Sequence, residues 1–291
     1  FSNLVPVFAD VHPVTFCLDL RSAELCMDQK TAAILPIDIF GRLANYGLLQ
    51  KLGKPMFEDA CQAVGGWGPG LAGSYGVAAS FAFQGVKNVP AGEAGMLCTS
   101  NAQFAITARK WISHGENWRD ECGAAEIGIN GRMNEITACI AYHGLLAVKA
   151  RNVHRRRLAL ELWRRLKDEA RVRVLTPQEI EGHALYVYPL VLRGGVDRAA
   201  FCRRLKRLGV ETSEGYIRPH LGHYPAFKSA VRIPMPVVEE LSESTLVLLL
   251  QVRPPATLTH MRYLAWAIKM ALDAGKSARR AKLGQVDASA F

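Results

Sequence analysis

Short apolar segments alternate with short amphipathic segments through the first half of this chain, and this alternation limits the fold more than any other feature. The predicted strands are 6–11, 31–38, 55–59, 79–83 and 95–99, and the predicted helices are 21–29, 45–53 and 101–115. Strands that alternate with helices are typical of an α/β layered domain with a mainly parallel sheet. In such sheets, ligands bind at the carboxyl ends of the strands.

The second half of the chain predicts a smaller α/β domain. A long helical region over 133–170, with a candidate break near Arg151, leads into it. A strand at 184–192 and later helices follow, at 197–209, 237–245 and 258–274. We therefore expect a large domain over 1–150 and a small C-terminal domain over 151–291.

An acidic residue, Asp59, ends the predicted strand 55–59. Taken alone, a carboxylate there is more often satisfied by backbone amides or by an arginine. Beside a pyridinium ring it has a catalytic use. The ion pair keeps the ring nitrogen protonated, so that the ring can accept electrons from a substrate carbanion.

A lysine, Lys87, follows the predicted strand 79–83, with Phe81, Phe83 and Val86 before it and Pro90 after it. Most lysines in loops are solvated, but burial among apolar groups favours the neutral, nucleophilic amine. An acid and a lysine at two strand ends are what an enzyme needs to hold pyridoxal 5'-phosphate (PLP), because the amine forms the Schiff base. The released amine can also move a proton between substrate and cofactor.

Several longer segments occur in one order: PVFADVHPVTFCLDL, KTAAILPIDIFGRLANYGLLQKLGKPMFEDACQAVGG, GSYGVAASFAFQGVKNVPAGEAGML, GINGRMNEITACI and VVEELSESTLVL. Together they cover nearly the whole chain, and they resemble the DegT-type (DegT/DnrJ/StrS) sugar aminotransferases. That resemblance implies a fold type I enzyme, with a three-layer PLP-binding large domain and a smaller C-terminal α/β domain.

The resemblance also implies roles for five residues. Lys87 matches the Schiff-base lysine, Asp59 the pyridinium partner, and Gln62 a residue that packs and hydrogen-bonds near the phenolic oxygen of the ring. Asn130 matches an asparagine that reaches the phosphate of the cofactor in the other subunit, which implies a homodimer; a simple turn former is the interpretation without the resemblance. His220 lies where the family often places a substrate-side histidine, and a surface histidine is an equally good interpretation.

The chain departs from the family pattern in ways that weaken phosphate binding. It opens on FSNLVPVFADV without a Met, so we expect the preceding family segment, with a phosphate-cradling turn and a stacking aromatic, to be missing. Ala82 replaces a serine that hydrogen-bonds the phosphate, Ala94 a glycine and Val77 an aspartate. Loss of one hydrogen bond to a charged group costs about 1.5–3 kcal/mol, or roughly ten- to a hundredfold in affinity.

The expected function is transfer of an amino group from an amino acid, glutamate by resemblance, to a keto sugar that is nucleotide-linked. Two alternatives stay open. A PLP-dependent sugar dehydratase of the same family would carry a histidine in place of Lys87, so that lysine argues against it. A truncated, catalytically silent relative with a structural or regulatory role is favoured by Ala82 and by the missing segment.

Composition limits the partners. The net charge is +10, and much of it lies in 149–173. A helix with a solvated basic face is a better interpretation of that segment than nucleic-acid binding, because Leu158, Leu162 and Leu166 form a buried stripe. The longest apolar run, 246–250, is too short to span a membrane. The positive charge fits a phosphorylated small-molecule substrate weakly.

The cysteines indicate a reducing environment. All seven, at 17, 26, 61, 98, 122, 139 and 202, are scattered without a CxxC pair, and their number is odd. Free thiols in apolar surroundings behave as small hydrophobic groups. We therefore expect a cytoplasmic protein. The spacing of His and Cys residues gives no metal-site pattern.

Overall fold

The computed structural model describes residues 4–116, 124 and 126–284, with side chains described to residue 273. The chain forms two compact units. The N-terminal unit consists of 11–152 together with the short segment 182–186. The C-terminal unit consists of 1–10, 153–181 and 187–291.

Helices and strands alternate through the described residues, as expected for an α/β protein. The helices are α1 Leu20–Cys26, α2 Tyr46–Leu49, α3 Ala102–Trp111, α4 Glu135–Leu166, α5 Pro177–Ile180, α6 Arg198–Arg207, α7 Pro236–Glu240 and α8 Leu258–Gly284. The strands are β1 Phe57–Asp59, β2 Ala78–Ala82, β3 Gly95–Cys98, β4 Val172–Arg173, β5 Tyr188–Leu192, β6 Thr212–Glu214 and β7 Leu246–Leu249.

The sheet of the N-terminal unit has the order β1-β2-β3. Strands β1 and β2 are parallel, with Asp59 opposite Ser80, whereas β3 runs antiparallel to β2. The sheet is therefore mixed. Because β1 and β2 are parallel, the chain leaves both strands at the same edge, and Asp59 and the loop that carries Lys87 lie at that edge.

Two of the predicted strands, 31–38 and 6–11, do not form regular strands, so these two predictions are wrong. Segment 31–38 makes only isolated parallel bridges, from Ile34 to Met56 and from Ile37 to Asp59. Pro36 lies between these two bridges and has no backbone N–H to donate, which explains the interrupted ladder. Within 6–11 the pairing is limited to single bridges of Phe8 and Val11.

The long helix α4 is continuous through Arg151, so the candidate break there is wrong. No proline interrupts it. Its predicted buried stripe is confirmed, since Leu158, Leu162 and Leu166 are buried. The basic charge around them is partly paired, because Glu161 contacts Arg165 and Arg262 at 3.0 and 3.4 Å.

The C-terminal unit is built on a four-stranded antiparallel sheet of order β4-β5-β7-β6. The apolar run noted in the sequence forms β7, whose four residues are all buried. Among the described residues, every helix is too short or too polar to cross a membrane. Six of the cysteines are free thiols, and Cys122 lies outside the described residues.

A buried acid, Asp38, organises the core of the N-terminal unit. Its Oδ1 accepts hydrogen bonds from the Ala44 N–H at 2.9 Å and from the Tyr46 hydroxyl at 2.8 Å. Burial raises the pKa of Asp38 to about 7, the hydrogen bonds oppose this, and the nearby charges of Glu58 and Asp59 add to it. Folding therefore favours the protonated form of this carboxyl group.

Asp38 makes the stability of the protein depend on pH in a defined direction. A carboxyl group with a raised folded-state pKa stabilises the protein at low pH, and this contribution is lost as pH rises towards about 7. We predict that Asp38→Asn, which can keep both accepted hydrogen bonds, flattens this part of the pH profile by up to about 1.4 kcal/mol per pH unit. Urea denaturation between pH 5 and 8 measures it. Exposed Asp168→Asn is the control, and parallel profiles for wild type and Asp38→Asn would contradict the prediction.

Candidate active site

The two acids at the end of β1 point to opposite faces of the sheet, since side chains alternate along a strand. Glu58 is buried, and its carboxylate accepts hydrogen bonds from the backbone N–H groups of Gly73, Tyr75 and Gly76. Glu58 therefore fixes a loop. Asp59 is half-buried on the other face, and its Oδ1 accepts the Cys61 N–H at 3.1 Å. In the described residues no basic side chain forms an ion pair with Asp59.

Lys87 lies half-buried in the loop after β2. Its backbone N–H donates to the Gln84 carbonyl at 2.9 Å, which closes a tight turn just before the lysine. Its ammonium nitrogen lies 4.6 Å from the centre of the Tyr186 ring. This distance is within the range of a cation–π interaction.

Asp59 and Lys87 both affect the pKa of the Cys61 thiol. Burial, and next the hydrogen bond with Asp59, raise the pKa of the Cys61 thiol to about 11, while the positive charge of Lys87 opposes that rise. The Cys61 sulfur is also 3.6 Å from the Ser80 hydroxyl. A carboxylate and an amine thus act on one thiol at the edge where β1 and β2 end.

Gln62 is buried and supports the backbone beside this edge. Its Oε1 accepts the N–H of Phe40 at 2.7 Å, and the carbonyl of Phe40 accepts the N–H of Tyr186 at 2.8 Å. Phe40 has a positive φ of 59°, an uncommon conformation for an aromatic residue. The Gln62 amide oxygen is therefore engaged in holding this turn.

Asn88, next to Lys87, was not identified from the sequence. It is buried, and its Nδ2 donates to Asn152 Oδ1 at 3.1 Å and to the Ala184 carbonyl at 2.8 Å. Asn152, on α4, donates in turn to the Val64 carbonyl at 2.9 Å. The lysine loop is thereby tied to α4 and to segment 182–186. The position of Asn88 between Lys87 and Val89 gave no signal of this role in the sequence.

Asn130 is exposed, and its Oδ1 accepts from Arg132 Nε at 3.3 Å. Its backbone forms an isolated bridge with Ser113. None of its described contacts is with Asp59, Gln62 or Lys87. The neighbouring Ile129 is 50% exposed, so Asn130 lies on an apolar part of the surface.

His220 belongs to the C-terminal unit and is buried, so its interpretation as a surface histidine is wrong. Its Nδ1 accepts the Gly222 N–H at 3.2 Å, and its Nε2 is buried with no hydrogen-bond partner among the described residues. Burial and the neighbouring His223 lower the pKa of His220. The ring is therefore neutral near pH 7 with its proton on Nε2, a donor suited to a ligand oxygen.

Two of the positions that depart from the family pattern, Ala82 and Ala94, lie beside the lysine loop, whereas Val77 precedes the first residue of β2. Ala82 ends β2 opposite Gly95 and presents only a methyl group. The Ala94 carbonyl accepts the Phe83 N–H at 2.8 Å, which continues the pairing of β2 and β3 into the loop. Position 82 therefore offers no side-chain hydrogen bond to a phosphate.

Comparison with known proteins identifies the family. The model of the DegT/DnrJ/EryC1/StrS aminotransferase family matches residues 1–265. The chain belongs to this family. A pleiotropic regulatory protein of Geobacillus stearothermophilus is 31% identical over 233 residues, which cover 77% of this chain and 61% of that protein. An L-glutamine:scyllo-inosose aminotransferase of Streptomyces griseus is 31% identical over 201 residues, covering 64% and 47%. The chain thus spans about half to three-fifths of these relatives.

Solved structures show the same fold. A DegT/DnrJ/EryC1/StrS aminotransferase from Brucella abortus superposes with a TM-score of 0.83 at 25% identity, over 92% of this chain and 73% of that one. NtdA from Bacillus subtilis, solved with the cofactor PMP, superposes with a TM-score of 0.80 at 24% identity, over 92% and 63%. The predicted α/β fold of type I PLP enzymes is confirmed.

The Asn88 contacts make a testable contribution to stability. We predict that Asn88→Ala lowers the free energy of unfolding by about 2–3 kcal/mol, because it removes two hydrogen bonds and leaves the Ala184 carbonyl and the Asn152 amide oxygen without their donor. Gln84→Ala, an exposed change in the same loop, should stay within about 0.5 kcal/mol of wild type. Urea denaturation compares the two variants. Equal losses would show that the buried network contributes nothing.

Proposed function

We propose that this chain carries the catalytic groups of a PLP-dependent aminotransferase that moves an amino group from an amino acid to a keto sugar. One observation carries the proposal. In a chain of the aminotransferase family, an acid, Asp59, ends one strand and the loop that carries Lys87 follows the next, at the same carboxyl edge of a parallel strand pair. That edge is where α/β enzymes bind their ligands.

The residues at this edge fit PLP. When bound, PLP supplies an electron sink for the substrate carbon. Asp59 Oδ1 accepts the Cys61 N–H, and the carboxylate would accept a hydrogen bond from a protonated ring nitrogen of bound PLP. Lys87 would provide the amine that bonds to the cofactor aldehyde, and Gln62 would lie near the phenolic oxygen, as in the family pattern.

Lys87 would also move protons. Lys87 would leave the cofactor as an ammonium ion. Once that ion has lost a proton, its neutral amine could take a proton from the substrate carbon and return it to the cofactor carbon. Cys61 does not compete with it. With a pKa of about 11, the thiol stays protonated near pH 7, so it is a poor nucleophile and adds no second negative charge beside Asp59.

The substrates follow from the family and from the charge. We propose glutamate as amino donor and a nucleotide-linked keto sugar as acceptor, with the net charge of +10 as weak support for a phosphorylated substrate. The Streptomyces griseus relative carries L-glutamine and an inosose in its name, so glutamine is the second donor to test. We assign His220 to the sugar, because the family resemblance places a substrate-side histidine there and its buried Nε2 has no hydrogen-bond partner among the described residues.

We also propose a homodimer, in which Asn130 reaches the cofactor phosphate of the partner. The first half of α4 presents an apolar surface, in which Ile136 is 76% and Leu146 is 66% exposed. Ile127, close to Asn130 in the sequence, is 92% exposed. Apolar surface of this kind marks protein–protein contacts. A second subunit that covered it would lie close to Asn130.

The aminotransferase proposal predicts a covalent bond between Lys87 and PLP. Wild-type protein incubated with PLP should absorb visible light, and borohydride should fix the cofactor on Lys87, as peptide mass spectrometry would show. Addition of glutamate or glutamine should then convert the absorbance to that of the amine form. Lys87→Ala should lose the adduct and turnover, whereas exposed Lys51→Ala should keep both.

The outcomes separate the alternatives. Folded wild-type protein without an adduct would favour the catalytically silent relative, and an adduct on another lysine would overturn the role of Lys87. An adduct that neither amino acid converts would leave a cofactor-binding protein without aminotransferase activity. Dehydration of a keto sugar precursor by the loaded protein would favour the sugar dehydratase.

The dimer proposal predicts that Ile136→Asp weakens self-association by about tenfold or more, because it places a charge in an apolar interface. Sedimentation velocity over a range of concentrations measures this. Leu25→Asp, which changes a 66% exposed leucine on α1, is the matched control and should dimerise as wild type does. A monomeric wild type, or an Ile136→Asp variant that dimerises normally, would contradict the proposal.

A further inference from the structure

Tyr186 lies directly against the amino group of Lys87. The ring is only 9% exposed, and the lysine nitrogen is 4.6 Å from its centre. A cation over an aromatic face is attracted by the negative charge of the π system, and more strongly where water is excluded. The ring therefore favours one position of a side chain that would otherwise have many rotamers.

The Tyr186 ring is held in place by the backbone on both sides of its segment. The Tyr186 N–H donates to the Phe40 carbonyl at 2.8 Å, and the Ala184 N–H donates to the Gly41 carbonyl at 2.9 Å. The approach is close, since a Cβ on Gly41 would lie 2.7 Å from the Leu185 nitrogen. Segment 182–186 cannot shift away from Phe40 and Gly41 without breaking these bonds.

The same segment also holds the backbone of the lysine loop. The Ala184 carbonyl accepts the Asn88 side chain at 2.8 Å. Segment 182–186 therefore fixes the loop through Asn88 and the amino group through Tyr186. A ring fixed relative to the loop that carries Lys87 can receive the amine at the same place each time.

We propose that Tyr186 is a positioning residue that holds the ammonium group of Lys87 whenever the lysine is not bonded to the cofactor. This inference rests on the proposed function. When a donor displaces Lys87 from the cofactor, the donor nitrogen would form the bond to the cofactor carbon that the Lys87 nitrogen gives up. The protons lost by the donor ammonium group would pass to the Lys87 nitrogen, which would leave as an ammonium ion. Tyr186 stabilises this released state, so it lowers the cost of breaking the lysine bond and keeps the amine close for its return.

Removal of the ring should therefore strengthen the covalent bond between Lys87 and the cofactor relative to the released state. Two ligands separate this effect from general damage: PLP, and 4'-deoxypyridoxine phosphate, which lacks the aldehyde and cannot bond to lysine. In Tyr186→Leu the ratio of their dissociation constants (deoxy compound over PLP) should rise by roughly 3- to 30-fold. Tyr186→Phe keeps an aromatic face and should stay within about twofold of wild type.

The experiment measures both dissociation constants by fluorescence titration of the cofactor-free wild type, Tyr186→Phe and Tyr186→Leu. A purely structural role would weaken both ligands together and leave the ratio unchanged. An unchanged or lower ratio in Tyr186→Leu, or the same rise in Tyr186→Phe, would overturn the inference. If Tyr186→Leu fails to bind the deoxy compound, a variant with 4-cyanophenylalanine at position 186 provides the test. It keeps the shape of the side chain but has an electron-poor ring, so its ratio of dissociation constants (deoxy compound over PLP) should also rise.

Failure of the proposed function looks different. In that case wild-type protein would give no borohydride-stable adduct on Lys87. An adduct in wild type combined with an unchanged ratio in the variants would overturn only the role of Tyr186.

Discussion

The parallel pairing of β1 with β2 is the constraint on which the candidate site depends. Opposite Ser80, Asp59 ends one strand at the edge where the loop carrying Lys87 leaves the other. A shift of one residue along β1 would exchange the faces of Glu58 and Asp59. The loop would then lose its three backbone contacts to a carboxylate, and the site would lose its acid. The register of β1 against β2 therefore fixes both the loop 73–76, through Glu58, and the position of Asp59 at the candidate site.

Three acids lie close together in this part of the molecule, and each is accommodated differently. The Glu58 carboxylate is surrounded by backbone N–H donors. Asp38 is buried, and its raised pKa of about 7 reflects that burial and the charges of the other two acids. Asp59 stays half-buried and has no ion-pair partner in the described residues. Of these three acids, Asp59 is therefore the one suited to pair with a protonated ring nitrogen.

The sequence predicted the features that depend on local pattern. The helix predicted over 101–115 begins after Asn101, which accepts the Phe104 N–H at 2.9 Å, and the helix predicted over 45–53 ends at Gly53 in a left-handed conformation. It did not predict that segment 182–186 packs within the N-terminal unit, nor the pairing of Asn88 with Asn152. Those contacts join residues that are far apart in the chain, and neither period nor composition encodes them. The residues assigned to the cofactor follow from a family resemblance. The contact of Lys87 with Tyr186 joins residues that are far apart in the chain, so it could not be predicted from the sequence.

The proposed site is asymmetric around the cofactor. Asp59, Gln62 and Lys87 would serve the ring and the aldehyde, whereas Ala82 presents only a methyl group towards the phosphate. Affinity would then depend strongly on the covalent bond to Lys87, and an enzyme must break that bond in every turnover. A contact that stabilises the released lysine is most useful in such a site, because it keeps the covalent bond between Lys87 and the cofactor from being too stable to break in each turnover. The contact between Lys87 and Tyr186 has the geometry for this role.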